Sequence, residues 1–252
     1  MVIGGTSGIG LSAASTFIAR GAKVIATGRD DEHIEKARQL LGESAFVFSG
    51  DAIASATATC AIQEAQQRFG GFHGLYHVAG GSGRKMGDGP LHEMTDAGLA
   101  ATMQLNFSSV VYSNRAAVKA FIAQGAGGSI LNMGSVLGFS PAPKYFSTHA
   151  YSAAKAAIVG FSQAIAAYYA PYNIRINVVA PALTETPMAQ RAVHNANILH
   201  YIKTKQPLDG GRVATPQDLD EAAVYFMSDG SRFVTGQVLA IDGGWTVSEG
   251  QH

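Results

Sequence analysis

The feature that most restricts the fold of this chain is an alternation. Short apolar runs recur at 24–27, 45–48, 75–79, 129–133, 174–179 and 238–241. Longer stretches with helical periodicity separate or follow them, at 9–20, 31–41, 55–69, 97–124, 150–169 and 216–228. A strand with one wet face alternates apolar and polar residues. A nearly continuous apolar run therefore reads as a strand covered on both sides. With Val2-Ile3 at the start, seven such strands alternate with helices. This pattern predicts an α/β fold, a doubly wound parallel sheet of about seven strands with helices on both faces. No linker, charge block or internal repeat interrupts residues 1–252, which predicts a single domain.

Composition removes several function classes. Lys plus Arg and Asp plus Glu are both 18, so the formal charge is zero, against the basic excess of a nucleic-acid binder. Charged residues make up 14% of the chain, below the roughly 25% of an average domain, which argues against disorder and hints at faces covered by other subunits. Cys60 is alone, which rules out an internal disulfide framework and a cysteine-cluster zinc site. There is no apolar run of about 18 residues and no basic segment leading into an apolar one at the N-terminus. A cytoplasmic protein with no membrane or nucleic-acid partner and no metal is the expectation.

Val2-Ile3 runs straight into Gly4-Gly5-Thr6-Ser7-Gly8-Ile9-Gly10, and a helical pattern follows at once. Glycines allow a sharp turn and the close approach of a pyrophosphate. The following helix N-terminus offers free N–H groups and the positive end of a dipole. The spacing is G-x-x-x-G-x-G rather than the commoner G-x-G-x-x-G. At the end of the next apolar run stand Gly28 and Arg29, where an acidic residue would bind ribose hydroxyls. A guanidinium there suits a 2′-phosphate and favours NADP over NAD. The alternative is a solvated arginine paired with Asp30 or Asp31. Asp51, followed by Ala52, could accept from an adenine amino group, cap the next helix, or both.

Tyr151 and Lys155 are four residues apart at the start of an apolar helical stretch, so they share a helix face. A tyrosine titrates near pH ~10, and an adjacent ammonium favours phenolate, making a general acid/base workable. Ser135 follows the run 129–133, at the carboxyl end of a strand where catalytic groups of such sheets lie. Asn106 lies within a helical stretch, where an amide is mildly unfavourable. The stretch 182–207, with His194, His200, Lys203 and Lys205, lacks periodicity and follows a strand's end. It reads as a lid over a ligand, or else as a surface helix pair. Arg84 and Lys85 could meet an anionic substrate or lie on a solvated loop, and His149 could donate to a substrate oxygen or be structural.

Taken in order, these residues resemble the short-chain dehydrogenase/reductase family, including members that reduce 3-oxoacyl thioesters. The resemblance covers nearly the whole chain. Gly4, Gly8 and Gly10 are similar to its cofactor loop, with Thr6, Ser7 and Ile9 between them. Asp51 is similar to its adenine-contacting aspartate, and Ala79-Gly80 to the end of its N-N-A-G segment. Asn106, Ser135, Tyr151 and Lys155 are similar to its catalytic tetrad. Pro181 and Thr186 resemble its P-G-x-x-x-T segment, and Asp242-Gly243-Gly244 its closing D-G-G.

The resemblance implies a Rossmann-type fold, NADP or NAD as cofactor, and a small carbonyl or alcohol substrate. It implies a proton from Tyr151, a lysine that lowers the tyrosine pKa and holds ribose hydroxyls, and a serine that orients the substrate oxygen. It further implies that Asn106 holds a relay water, that Thr186 meets the nicotinamide carboxamide, and that the assembly is a homotetramer. An NAD-linked alcohol dehydrogenase and a dinucleotide-binding sensor without turnover are the alternatives. The chain departs from the family pattern in several places. Ile3 stands for a threonine, and His77-Val78 for two asparagines, which puts the bracing of that segment in doubt. Ala182 stands for a glycine, so that turn is expected to avoid positive φ. Only residues 1–3 precede the loop glycines, so the first strand is expected to be short, and the loop 139–149 is longer than usual.

Overall fold

The computed structural model describes residues 1–251. Seven strands form one sheet: β1 (Val2–Ile3), β2 (Val24–Gly28), β3 (Ala45–Ser49), β4 (Gly74–His77), β5 (Gly128–Met133), β6 (Ile174–Pro181) and β7 (Val238–Ile241). Their order is β3-β2-β1-β4-β5-β6-β7, and every pairing is parallel. The helices are α1 (Gly8–Ala19), α2 (Asp31–Leu41), α3 (Ser55–Phe69), α4 (Asp96–Met103), α5 (Ser109–Gln124), α6 (His149–Tyr169), α7 (Gln190–Val193), α8 (Ala196–Lys205) and α9 (Asp220–Met227). No helix among the described residues is long and apolar enough to cross a membrane.

The period of two along each strand explains the apolar runs. Val2, Val24, Tyr76 and Leu131 pack with α1, α2 and α9 on one face of the sheet. Their chain neighbours Ile3, Ile25, Leu75 and Ile130 pack with α3, α5 and α6 on the other. With a core on both faces, successive residues must all be apolar. A third cluster, around Trp245, Ile198, Tyr201 and Ile202, lies beneath the segment that follows β6. As expected, β1 is only two residues long, yet it pairs on both sides and sits at the centre of the sheet.

The helical stretch expected over 97–124 is not one helix. A π-helical turn at Gln104–Ser108 separates α4 from α5, with buried Asn106 inside it. The stretch expected over 216–228 begins as a 3₁₀ turn at Pro216–Leu219, where Thr215 and Asp218 form a capping box. The chain goes from β1 to β2 and β3 on one side and from β4 to β7 on the other. The sheet therefore has its switch point between β1 and β4, where such folds open a crevice beyond the carboxyl ends of the strands.

Candidate active site

A cavity of about 730 Å³ occupies that crevice. Gly4 and Gly5 both donate their N–H to the Thr27 carbonyl, at 3.0 and 2.9 Å, which turns the chain sharply after β1. Gly4 has φ +82°, and a Cβ there would lie 2.7 Å from the Ala79 nitrogen. A Cβ on Gly10 would lie 2.0 Å from the Gly4 carbonyl oxygen, so only glycine lets α1 start this close to the loop. Helix α1 has no side-chain cap, although Ser7 stands at its N-cap, and its first intrahelical bond runs from the Leu11 N–H to the Ser7 carbonyl. The N–H groups of Gly8, Ile9 and Gly10 are thus left for a ligand, and Gly8 and Ile9 line the cavity. This cradle of backbone donors fits a dinucleotide's pyrophosphate.

One end of the cavity is polar. Gly28 is required there by Thr6, whose hydroxyl would lie 2.0 Å from any Cβ at that position. Arg29, with its side chain 62% exposed, lies 3.7 Å from the Asp51 carboxylate rather than on Asp30 or Asp31. Asp30 instead caps α2 through the His33 N–H. Asp51 does not cap α3, whose N-cap is Ala54, and it accepts from the Ile53 N–H at 3.2 Å. Ala52 lines the wall beside it.

The other end carries the reacting groups. Ser135 begins a 3₁₀ turn just after β5 and accepts from the Leu137 N–H at 3.2 Å. Tyr151 and Lys155 lie on the first turns of α6, both buried against the cavity. Asp88, distant in sequence, accepts from the Ala150 and Tyr151 N–H groups at 3.0 and 2.8 Å and so fixes this helix end. Burial raises the Tyr151 pKa, and the nearby Ser135 hydroxyl opposes it only in part. The Lys155 ammonium lies 5.5 Å from the Tyr151 ring centre and donates to the Met133 carbonyl at 2.8 Å. Burial pulls its own pKa down to about 7. The net shift of the phenol pKa is thus upward, set by desolvation rather than by the lysine charge. Burial favours the neutral phenol, and the ammonium is aimed at the Met133 carbonyl.

Asn106 is fully buried and does not line the cavity. Its amide donates to the Gly81 and Thr102 carbonyls at 2.9 Å each and accepts from the Gly81 N–H at 3.0 Å. Gly80 lies between it and Lys155, because a Cβ there would sit 2.8 Å from Asn106 Oδ1 and 3.6 Å from Lys155 Nζ. Of the other residues singled out from the sequence, Ala79, Gly80, Pro181 and Thr186 line the cavity, whereas Gly10, His194, His200, Lys203, Lys205 and 242–244 do not. His149 is exposed and does not line it. Ala182 has no positive φ, as expected.

Sequence reasoning left the 139–149 loop open between lining a substrate and covering the core. Phe146 does both, since it lines the cavity and meets Trp245 edge-on at 5.7 Å, while Phe139 is exposed. The segment 182–207 likewise divides. Its first half, to Ala192, lines the cavity, and α8 packs into the third core cluster. His77 went unnoticed as a brace. Its Nδ1 lies 2.7 Å from the Ser113 hydroxyl and its Nε2 3.3 Å from the Ser109 hydroxyl. Burial first, and the Lys155 charge second, hold its pKa down to about 3. A neutral imidazole therefore stands where bracing was in doubt. The available signal was Ser109 and Ser113, spaced four apart on one helix face.

Known proteins resemble the chain along nearly its whole length. Residues 4–246 match a family model described as enoyl-(acyl carrier protein) reductase. The chain is 32% identical over 247 residues to 2,5-dichloro-2,5-cyclohexadiene-1,4-diol dehydrogenase of Sphingobium indicum, covering 98% of this chain and 96% of the relative. It is 31% identical over 250 residues to the NADP-dependent (R)-specific alcohol dehydrogenase of Lentilactobacillus kefiri, covering 98% and 95%. It superposes with a TM-score of 0.85 and 26% identity on 3-ketoacyl-(acyl-carrier-protein) reductase from Brucella melitensis, solved with NADH, covering 98% and 97% of the two chains. With its all-parallel sheet, its glycine cradle at the switch point and these relatives, the chain belongs to the short-chain dehydrogenase/reductase family of oxidoreductases, which act on alcohol and carbonyl groups.

Proposed function

We propose that the protein is an NADP-dependent oxidoreductase that interconverts a carbonyl and a secondary alcohol, with Tyr151 as general acid/base. The observation that carries this reading is the placement of Ser135, Tyr151 and buried Lys155 together at the cavity wall, with the ammonium 5.5 Å from the Tyr151 ring centre. When bound, the dinucleotide supplies hydride to the carbonyl carbon or takes it from the alcohol. Gly4, Gly8, Ile9 and the α1 N-terminus would hold its pyrophosphate, with Thr6 and Ser7 shaping the loop. Arg29 would meet a 2′-phosphate and Asp51 the adenine, with Ala52 flanking it. Ala79, Gly80, Pro181 and Thr186 would frame the nicotinamide end. The segment beyond β6 would cover the substrate.

In reduction, Tyr151 gives its proton to the carbonyl oxygen. Burial suits that direction, because the raised phenol pKa keeps the proton in place at neutral pH. Ser135 orients the same oxygen and stabilises the charge that develops on it. Lys155, beside the phenol, would hold the ribose hydroxyls. Asn106 acts as a positioning residue. Both ends of its amide are committed to Gly81, so it fixes the strand end against which Lys155 lies.

A second reading, NAD-linked oxidation, rests on Asp51, which lies close enough to Arg29 to offset its charge. Cofactor preference separates the two. Arg29→Ala should weaken NADPH binding by about tenfold while leaving NADH binding nearly unchanged, the worth of one charge-assisted hydrogen bond. Equal loss of both would leave Arg29 with no role in recognition. Tyr151→Phe should lower turnover by roughly 100- to 10,000-fold with cofactor binding intact. A phenylalanine variant as active as the wild type, assayed by NADPH oxidation across a carbonyl panel, would refute the acid/base role.

A further inference from the structure

The substrate end of the cavity holds more positive charge than the chemistry above uses. Arg84 and Lys85 line it from a 3₁₀ turn after β4, which Gly83 starts in a left-handed conformation at φ +72°. Arg191 lines it from a second element, α7 in the segment after β6. The chain as a whole is neutral, so this concentration is local. Several arginines elsewhere in the protein are paired. Arg20, Arg38, Arg68 and Arg212 each meet a carboxylate. Among the described residues none meets Arg84, Lys85 or Arg191. Asp88, the acidic side chain nearest to Arg84 and Lys85 in sequence, gives both its oxygens to the N-terminus of α6.

Arg191 donates one hydrogen bond, to the Tyr145 carbonyl at 3.1 Å, and its guanidinium lies 6.0 Å from the Phe146 ring centre. Its pKa is lowered, by burial first and then by the Arg84 charge, so the two guanidinium groups repel one another. A guanidinium presents five donors in a fork shaped for an oxyanion. Two such forks from separate elements, with a lysine beside them and no carboxylate to neutralise them, form a receptor for negative charge. Apolar Val136, Leu137, Phe146, Leu183 and Met188 line the same cavity as Ser135 and Tyr151.

We propose that the substrate is a carbonyl compound with an apolar body and an oxyanionic group, carboxylate or phosphate, which Arg84 and Arg191 bind from two elements with Lys85 adding charge. This rests on the oxidoreductase reading for the chemistry, but the anion site is a binding property that can be measured without turnover. An oxyanion held between the loop after β4 and α7 also ties down the segment that covers the substrate.

The test uses the NADP-loaded protein with straight-chain oxo acids of several lengths, their methyl esters, and an oxo alkyl phosphate. Binding is measured by calorimetry and turnover by NADPH oxidation. Oxo acids are expected to bind at least about tenfold more tightly than their esters, the scale of one charge-assisted contact. In Arg84→Gln/Arg191→Gln that preference should collapse, with ester and NADPH affinities held within about twofold. Phosphate tighter than carboxylate, or the reverse, identifies which oxyanion the site is shaped for. Esters that bind as well as acids to the wild type would overturn the proposal. So would a variant that loses NADPH affinity by the same factor as acid affinity, since the arginines would then serve the cofactor's phosphates. If acids bind with the expected preference but none is reduced, the anion site stands and the reductase reading falls.

Discussion

At the scale of single residues, the site is governed by what burial does to charge. Lys155 is buried with no carboxylate partner, and its pKa falls to about 7. Its ordinary value is 10.5. Between those two values the unfolded chain binds a proton that the folded chain does not, so stability rises with pH across that window. Below it, the folded protein carries the full cost of a buried ammonium. Lys155→Met should therefore raise the melting temperature more at pH 6 than at pH 9, by ~2–4 °C for each kcal/mol released at this chain length. The same variant should lose turnover. Thermal unfolding at the two pH values checks this, and an equal shift at both would show that the lysine is not held in the charged form at a cost. Tyr151 and Lys155 were legible in the sequence because a spacing of four fixes a shared helix face. The direction of the Tyr151 shift was not, because desolvation depends on the atoms that close over the ring.

At the scale of elements, the glycine loop and the helix after it act as one unit. Helix α1 can begin against the loop only because Gly10 has no side chain to strike the Gly4 carbonyl. Gly10→Ala must push the helix start away from β1 and misalign the N–H groups of Gly8 and Ile9. Dinucleotide binding is expected to weaken by about tenfold or more, a cost of at least roughly 1.4 kcal/mol, as read by fluorescence titration with NADPH. Unaltered affinity would mean that the helix N-terminus does not hold the pyrophosphate. The π-helical turn around Asn106 is a second element-scale feature, and local periodicity hid it. One extra residue in a turn leaves the apolar pattern of 97–124 nearly intact, so the stretch reads as one helix. What commits Asn106 is Gly81, brought beside it by the pairing of β1 with β4.

At the scale of the whole molecule, some apolar side chains remain on the outside. Phe233 is fully exposed, and Leu239 on the edge strand β7 and Val247 are exposed as well. An unpaired edge strand with apolar neighbours is a surface that a second copy can cover. We propose a homotetramer, so light scattering at micromolar concentration should give four times the chain mass of 26.2 kDa. A monomer would exclude it. The fold class, seven of seven strands and most of the cavity lining were determined by the sequence itself, since strand period, glycine punctuation and i, i+4 spacing are local properties of a chain. Tertiary structure alone decided the rest. It set Asp88 on the start of α6, His77 between two serines, Arg29 beside Asp51, and Arg84 near Arg191. Each of these joins residues from different elements. Their contact follows from how the sheet orders its strands, and no spacing along the chain encodes it.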